Sequence, residues 1–160
     1  LSNNFGNLVQ RICSFINKNC NSTISNIVNY NDEDNKLITF SISKLDKYSQ
    51  YMNEQKIDKS LKEVFELLTE TNIYVDKQAP WILKKTNLER MNTVLSVSIE
   101  IIRRVTILLY PIMPQSCKNI LSLLNIDSND IKINNYESIP KERIIINEPF
   151  PIFPRIELND

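Results

Sequence analysis

The sequence of 160 residues contains no histidine, one glycine, and equal numbers of basic and acidic residues. Without histidine, the chain cannot build a Ser-His-Asp or Cys-His pair, an imidazole metal ligand or a histidine proton shuttle. A single glycine excludes the P-loop and the dinucleotide-binding loop, since each needs at least two. Zero net charge argues against a uniformly basic nucleic-acid binder. We therefore expect no catalytic residues and no metal site in this chain, which is poorly equipped to act alone as an enzyme.

Features of membrane and secreted proteins are also missing. No apolar run approaches the roughly 18 to 20 residues that a membrane-spanning helix needs, and the opening lacks the regions of a signal peptide. The three cysteines, Cys13, Cys20 and Cys117, form no Cys-x-x-Cys pair, and their odd number fits free thiols in a reducing compartment. Leu1 is not preceded by Met. We expect a cytoplasmic chain with no membrane partner, forming part of a longer protein.

Apolar residues recur at helical spacing over much of the chain. This pattern indicates helices at residues 7–19, 57–75 and 88–109 and a short helix near 120–124. Over residues 37–52 the apolar spacing is ambiguous, and we expect a helix there too. The polar residues 20–36 are expected to form a loop, and Pro80 is expected to interrupt a helix. The prediction is an all-α fold, with a bundle of four to five helices over residues 1–126.

The character of the sequence changes after Asp127. Residues 131–156 hold four of the seven prolines, together with a run of three isoleucines at 144–146 that favours a strand. We expect residues 127–160 to form an extended C-terminal segment or a small hairpin packed on the bundle.

The zero net charge conceals two basic segments. Residues 1–30 contain two basic residues and no acidic one, and residues 77–104 contain six basic and two acidic residues. If the two segments meet in the bundle, they form a patch suited to phosphate contacts. An ordinary solvated helix surface explains the same charges.

The first predicted helix has a polar flank beside its apolar stripe. Asn7, Arg11, Ser14 and Lys18 lie at positions i, i+4, i+7 and i+11, which share one side of a helix. Asn pairs a donor with an acceptor and Arg carries a fork of donors, so both suit recognition of base edges. Alternatively, Asn7 caps the helix and Arg11 is a simple surface charge.

The only tryptophan, Trp81, directly follows Pro80 at the predicted helix break and is followed by Lys84 and Lys85. A flat aromatic ring held beside positive charge is suited to stacking on a base. A lone tryptophan is also a common core residue. The sequence leaves both interpretations open.

Four short motifs narrow the choice: FGNLVQR at the start, NIYVDKQAPW in the middle, YPIMP after the longest helix and FPRIE near the end. In this order and spacing they resemble the anticodon-binding domain of methionyl-tRNA synthetases, which are class I aminoacyl-tRNA synthetases. The resemblance runs from Phe5 to Glu157. Phe5 and Ile112 replace a common Leu and Phe, and both exchanges are apolar.

The resemblance implies a helical bundle that recognises the CAU anticodon of methionine tRNA and initiator tRNA. It implies that Trp81 stacks on the first anticodon base, with Pro80 beside it, and that Asn7 and Arg11 contact anticodon bases. Ser14, Lys18, Lys84 and Lys85 are expected to support these residues or contact phosphates.

The same resemblance implies a non-catalytic chain without a cofactor of its own. The family's His-containing ATP motif and Lys-Ser-rich loop do not occur here. Ligation of methionine to tRNA, with ATP and Mg²⁺, would belong to an N-terminal catalytic domain. Two alternatives stay open: the anticodon domain of an isoleucyl, valyl, leucyl or cysteinyl enzyme, and a helical protein-interaction module.

Overall fold

The computed structural model describes residues 2–25, 28–137 and 143–153, and most of these residues are helical. The helices are α1 (Asn7–Asn19), α2 (Asp32–Asn53), α3 (Ile57–Gln78), α4 (Pro80–Thr86), α5 (Leu88–Leu109) and α6 (Pro114–Leu123). A π-helical turn (Ser2–Gly6) and two 3-10 turns (Ser128–Asp130 and Ile133–Asn135) complete the helical part. The predicted all-α bundle is confirmed: five of these helices have at least ten residues, and α4 is a seven-residue addition.

Helix α5 is the centre of the bundle. Every residue from Thr93 to Leu109 is buried, which is the pattern of a helix surrounded by other elements. The hydroxyls of Ser98 and Thr106 donate to the carbonyls of Val94 and Ile102, one turn earlier in the same helix. Helices α1, α2, α3, α4 and α6 all contact α5, so this helix fixes their relative positions.

The predicted loop over residues 20–36 is wrong at both ends. The strand β1 (Thr23–Ser25) lies in it, and α2 already begins at Asp32. The start of α2 is a capping box, in which the Asn31 side chain accepts from the backbone N–H of Asp34 and the Asp34 side chain accepts from that of Asn31. The polar residues that suggested a loop are therefore the helix start itself.

The second strand, β2 (Arg143–Ile145), pairs antiparallel with β1, with Ile24 opposite Ile144. The other side of β1 is paired as well, because the Asn92 amide of α5 donates to the Ser25 carbonyl at 2.8 Å and accepts from its N–H at 3.0 Å. The expected extended segment is thus present over residues 143–153, and its strand joins the first part of the chain instead of forming a hairpin within the tail. The predicted boundary at residue 126 stays a prediction, and residues 154–157 of the closing motif lie outside the described residues.

The only glycine in the sequence makes room for this segment. A Cβ atom on Gly6 would lie 2.7 Å from Cδ2 of the Phe153 ring, closer than carbon atoms pack. Glycine at position 6 therefore lets the aromatic ring rest directly on the backbone at the start of α1.

A buried charge cluster anchors residues 131–137 to the bundle. Glu100 accepts from Arg103 at 2.7 and 2.9 Å and from Arg104 at 2.8 Å, and all three side chains are buried. Arg103 also donates to the carbonyls of Asn135 and Tyr136, at 2.9 and 2.7 Å. The two arginines that the sequence analysis assigned to a basic surface segment are thus interior residues, and that part of the charge argument is wrong.

Tyr136 lies in the same cluster. Its ring is 5.3 Å from the Arg104 guanidinium, and its hydroxyl donates to the Ser41 carbonyl at 2.6 Å. Arg104 donates in turn to the Ser41 hydroxyl at 2.6 Å. Burial raises the pKa of the Tyr136 hydroxyl, so it remains a neutral donor.

The three cysteines carry free thiols, as expected. Burial raises the pKa of Cys13 and of Cys117 to about 12, so both are neutral packing residues. In the described part of the chain, none of the helices combines the length and the hydropathy of a membrane span.

Candidate nucleic-acid interface

The polar flank of α1 faces outward, as predicted. Its apolar stripe (Leu8, Val9, Ile12, Cys13 and Ile16) is buried, while Asn7, Arg11 and Lys18 are exposed and Ser14 is half-buried. Asn7 is the first residue of α1, and Gly6 occupies the N-cap position before it. Ser14 accepts a hydrogen bond from Gln10 at 3.1 Å, within the same helix.

Arg11 is held from two sides. Its guanidinium donates to the Asp76 carboxylate at 3.0 Å and to the side-chain amide oxygen (Oδ1) of Asn72 at 3.4 Å, both on α3. Its central carbon lies 5.8 Å from the centre of the Trp81 ring on α4, within cation–π range. Helices α1, α3 and α4 therefore all contribute side chains to one small surface cluster.

Trp81 is not a core residue. The residue is 41 % exposed, although its indole is the largest apolar group in the chain. An exposed indole beside a guanidinium is unusual for packing and is suited to stacking on a flat ligand. The structure therefore contradicts the core interpretation that the sequence left open.

The backbone at residues 78–81 places this ring. Helix α3 ends at Gln78, Ala79 adopts a left-handed conformation (φ 47°, ψ 68°), and the buried Pro80 begins α4. A left-handed residue other than glycine costs roughly 1–2 kcal/mol, so the surrounding contacts have to stabilise it. Trp81 follows as the second residue of α4, immediately after the turn.

Fewer basic side chains lie near Trp81 than the two basic segments of the sequence suggested. Lys84 donates to the Asn19 side chain at 2.5 Å, which joins α4 to the end of α1. Lys18 directly precedes Asn19, Lys85 directly follows Lys84, and both lysines are exposed. Lys77 forms an ion pair with Glu33. With the two buried arginines removed from the count, the positive surface around Trp81 is small.

The structure thus brings together Arg11 and Trp81 directly, and links Lys84 to the same helix as Arg11. Asn7 lies one turn before Arg11 on the exposed flank. Sequence analysis missed Asn72 and Asp76, which fix the guanidinium. A signal was present, because these two residues sit four apart in the motif that contains Trp81, on one face of α3.

The cluster offers a flat ring, a guanidinium and amide groups at one exposed place. Such side chains bind unpaired bases by stacking and by hydrogen bonds to base edges. Among the described residues no group of three or more acidic, cysteine or histidine side chains could hold a metal ion.

Comparison with known proteins agrees with this chemistry. A family model described as the anticodon binding domain of methionyl tRNA ligase matches residues 24–142. The chain is 32 % identical over 156 residues to the methionine–tRNA ligase of Brucella suis and 34 % identical over 157 residues to that of Rhizobium meliloti. Each match covers 97 % of this chain but 30 % of the relative, so the chain spans less than a third of those proteins.

Solved structures show the same likeness. The apo form of Mycobacterium tuberculosis methionyl-tRNA synthetase superimposes with a TM-score of 0.92 at 28 % identity, covering 99 % of this chain and 33 % of that one. The same enzyme in complex with methionyl-adenylate gives a TM-score of 0.91 at 29 % identity, over 97 % of this chain.

Proposed function

This chain belongs to the methionyl-tRNA ligase family, as its anticodon-binding domain, and we propose that it recognises the CAU anticodon of methionine and initiator tRNAs. The relatives are about three times as long as the matched part. In this proposal a catalytic domain elsewhere in the working protein ligates methionine to tRNA with ATP and Mg²⁺, and the protein is cytoplasmic.

One observation carries the proposal: the only tryptophan is exposed, and its ring lies 5.8 Å from the guanidinium of Arg11. Trp81 would stack on the first anticodon base, the cytosine. Arg11 carries five N–H donors and uses one toward Asp76 and one toward Asn72, so further donors remain for a base edge. Asn7, one turn away on the same flank, would contact a neighbouring base.

The lysines and the smaller residues have supporting roles in this proposal. Lys18, Lys84 and Lys85 would contact phosphates, which adds affinity that falls with salt and carries no sequence information. Pro80 would fix the direction of α4, and Ser14 would support the polar flank of α1.

The test measures binding of stem-loop RNAs that carry CAU or another anticodon. Since stacking a base on an aromatic ring contributes roughly 1–3 kcal/mol, Trp81→Ala should weaken CAU binding about 5- to 150-fold. Ile82→Ala is a matched control, because Ile82 is the adjacent exposed apolar residue of α4. Equal binding of CAU by the Trp81→Ala variant and the unmodified chain would refute the stacking role.

Variants of the lysines separate affinity from recognition. Replacing Lys84 and Lys85 by Gln should weaken binding of every stem-loop about equally and lower its dependence on salt. A loss confined to CAU would contradict the assignment of these lysines to phosphates. Equal binding of all anticodons by the unmodified chain would contradict the proposed specificity.

A further inference from the structure

Helix α4, which carries Trp81, is tied at both ends to one residue. Arg90 lies in the first turn of α5, and its backbone N–H donates to the side chain of Asn87, the cap residue between α4 and α5. Its guanidinium donates twice to the side chain of Gln78, at 2.7 and 3.2 Å, and Gln78 is the last residue before the turn into α4. Arg90 therefore closes the segment 78–90 around the short helix.

The guanidinium of Arg90 also binds a buried carboxylate of the core. Arg90 donates to both carboxylate oxygens of Asp34, at 2.5 and 2.8 Å, and Asp34 is fully buried. Tyr74 donates to the same carboxylate at 2.5 Å. Two parallel bonds from a planar guanidinium set orientation as well as distance. We call Asp34, Gln78 and Arg90 the Arg90 clamp.

Electrostatics keep this contact charged. Burial raises the pKa of the Asp34 carboxyl, but hydrogen bonds from Arg90 and Tyr74, with that of the Asn31 backbone, outweigh burial and leave the pKa below its usual value. The carboxylate stays ionised at neutral pH, so the ion pair between Asp34 and Arg90 is present there.

We propose that the Arg90 clamp is a positioning device for Trp81, which sets the place of the indole before RNA binds. Two residues separate Gln78 from Trp81, and one of them, Ala79, holds a left-handed conformation that needs support. None of the clamp residues is itself assigned to contact RNA. The link between the clamp and anticodon binding rests on the proposed function of Trp81. The effect of the clamp on the position of the indole can be tested without that function.

The test uses the 160-residue chain and Gln78→Met, which keeps the side-chain length and removes the acceptor for Arg90. The double variant Glu33→Gln/Gln78→Glu is the rescue, because Gln78 also donates to Glu33 at 2.5 Å. The exchange keeps the acceptor for Arg90, reverses the bond between positions 33 and 78, and keeps the net charge; it replaces the exposed Lys77–Glu33 ion pair by a contact of Lys77 with an amide. Arg104→Lys is the control for lost stability, since that buried arginine belongs to the separate Glu100 cluster.

Trp81 is the only tryptophan, so its fluorescence reports its position without RNA. We expect Gln78→Met to change the acrylamide quenching constant of the indole about twofold, and the double variant to restore it. Arg104→Lys should lower the melting temperature and leave the quenching constant unchanged. In binding assays, Gln78→Met should weaken binding of a CAU stem-loop at least about 5-fold, the lower end of a lost stacking contact.

The outcomes separate the two proposals. Unchanged quenching in Gln78→Met, or an equal change in Arg104→Lys, overturns the positioning role. Failure of the double variant to restore quenching overturns it as well. If the unmodified chain does not bind CAU, the proposed function fails, and the quenching data still decide whether the clamp places Trp81.

Discussion

Replacing Glu100 by Gln tests whether the buried charge cluster stabilises the fold. The change keeps the size of the side chain and removes the negative charge that two buried arginines share. Arg103 and Arg104 are only 6 % and 2 % exposed, so water cannot replace the lost carboxylate. The amide of Gln also places a donor toward the guanidinium donors.

The expected loss follows from the remaining contacts. Breaking a buried ion pair by removing one partner costs about 3–5 kcal/mol. Arg103 keeps two backbone carbonyls and Arg104 keeps the Ser41 hydroxyl, so the loss should lie near the lower end, at about 3 kcal/mol. For a domain of this size, that lowers the melting temperature by roughly 6–12 °C.

The assay is urea unfolding followed by far-UV circular dichroism, with Glu70→Gln as the matched control. Glu70 lies exposed on α3, where the same exchange should change stability by less than about 0.5 kcal/mol. A Glu100→Gln variant within about 1 kcal/mol of the control would refute the reasoning, because it would mean that the arginines do not need their counter-charge.

Two further predictions concern the packing at Gly6 and the clamp. Gly6→Ala should destabilise the chain by about 1–3 kcal/mol, because its Cβ meets the Phe153 ring. The double variant Gly6→Ala/Phe153→Ala should lose less free energy of unfolding than the sum of the two single variants. Additive losses in urea unfolding would contradict the contact. The Asp34 carboxyl has a lowered pKa in the folded chain, so its contribution is present above pH about 4 and is lost as pH falls further. Between pH 6 and 3, Asp34→Asn should therefore show a smaller acid-induced loss of stability than the unmodified chain, and equal slopes would contradict this origin.

Local pattern in the sequence was enough to find the main helices. The stripe of Leu8, Ile12 and Ile16 predicted α1 with its observed bounds, and the apolar residues of 88–109 predicted the central helix. Periodicity succeeds here because each helix has to bury one face, whatever its partner is. The polar flank of α1 was predicted by the same spacing, and its exposure follows.

The pairing of strands that are distant in the chain could not be predicted from the sequence. Nothing in residues 23–25 identifies a strand partner about 120 residues away, since a three-residue strand is stable only when paired. The basic surface was overestimated for a related reason. Arg103 and Arg104 were assigned to the surface because their buried partners, Glu100 and Ser41, could not be identified from the sequence. The exposure of Trp81 depends on the left-handed turn at Ala79. This turn could not be predicted from the sequence, because alanine does not favour a positive φ.

The pairing of β1 with β2 also has a consequence for the order of folding during translation. Within this domain, helix α1 and strand β1 leave the ribosome before the other elements, but the backbone partner of β1 and the ring that covers Gly6 are synthesised more than a hundred residues later. Closing such a long loop is slow and entropically unfavourable until the intervening helices are packed. Strand β1 should therefore reach its final protection from hydrogen exchange last, after the central helix has formed.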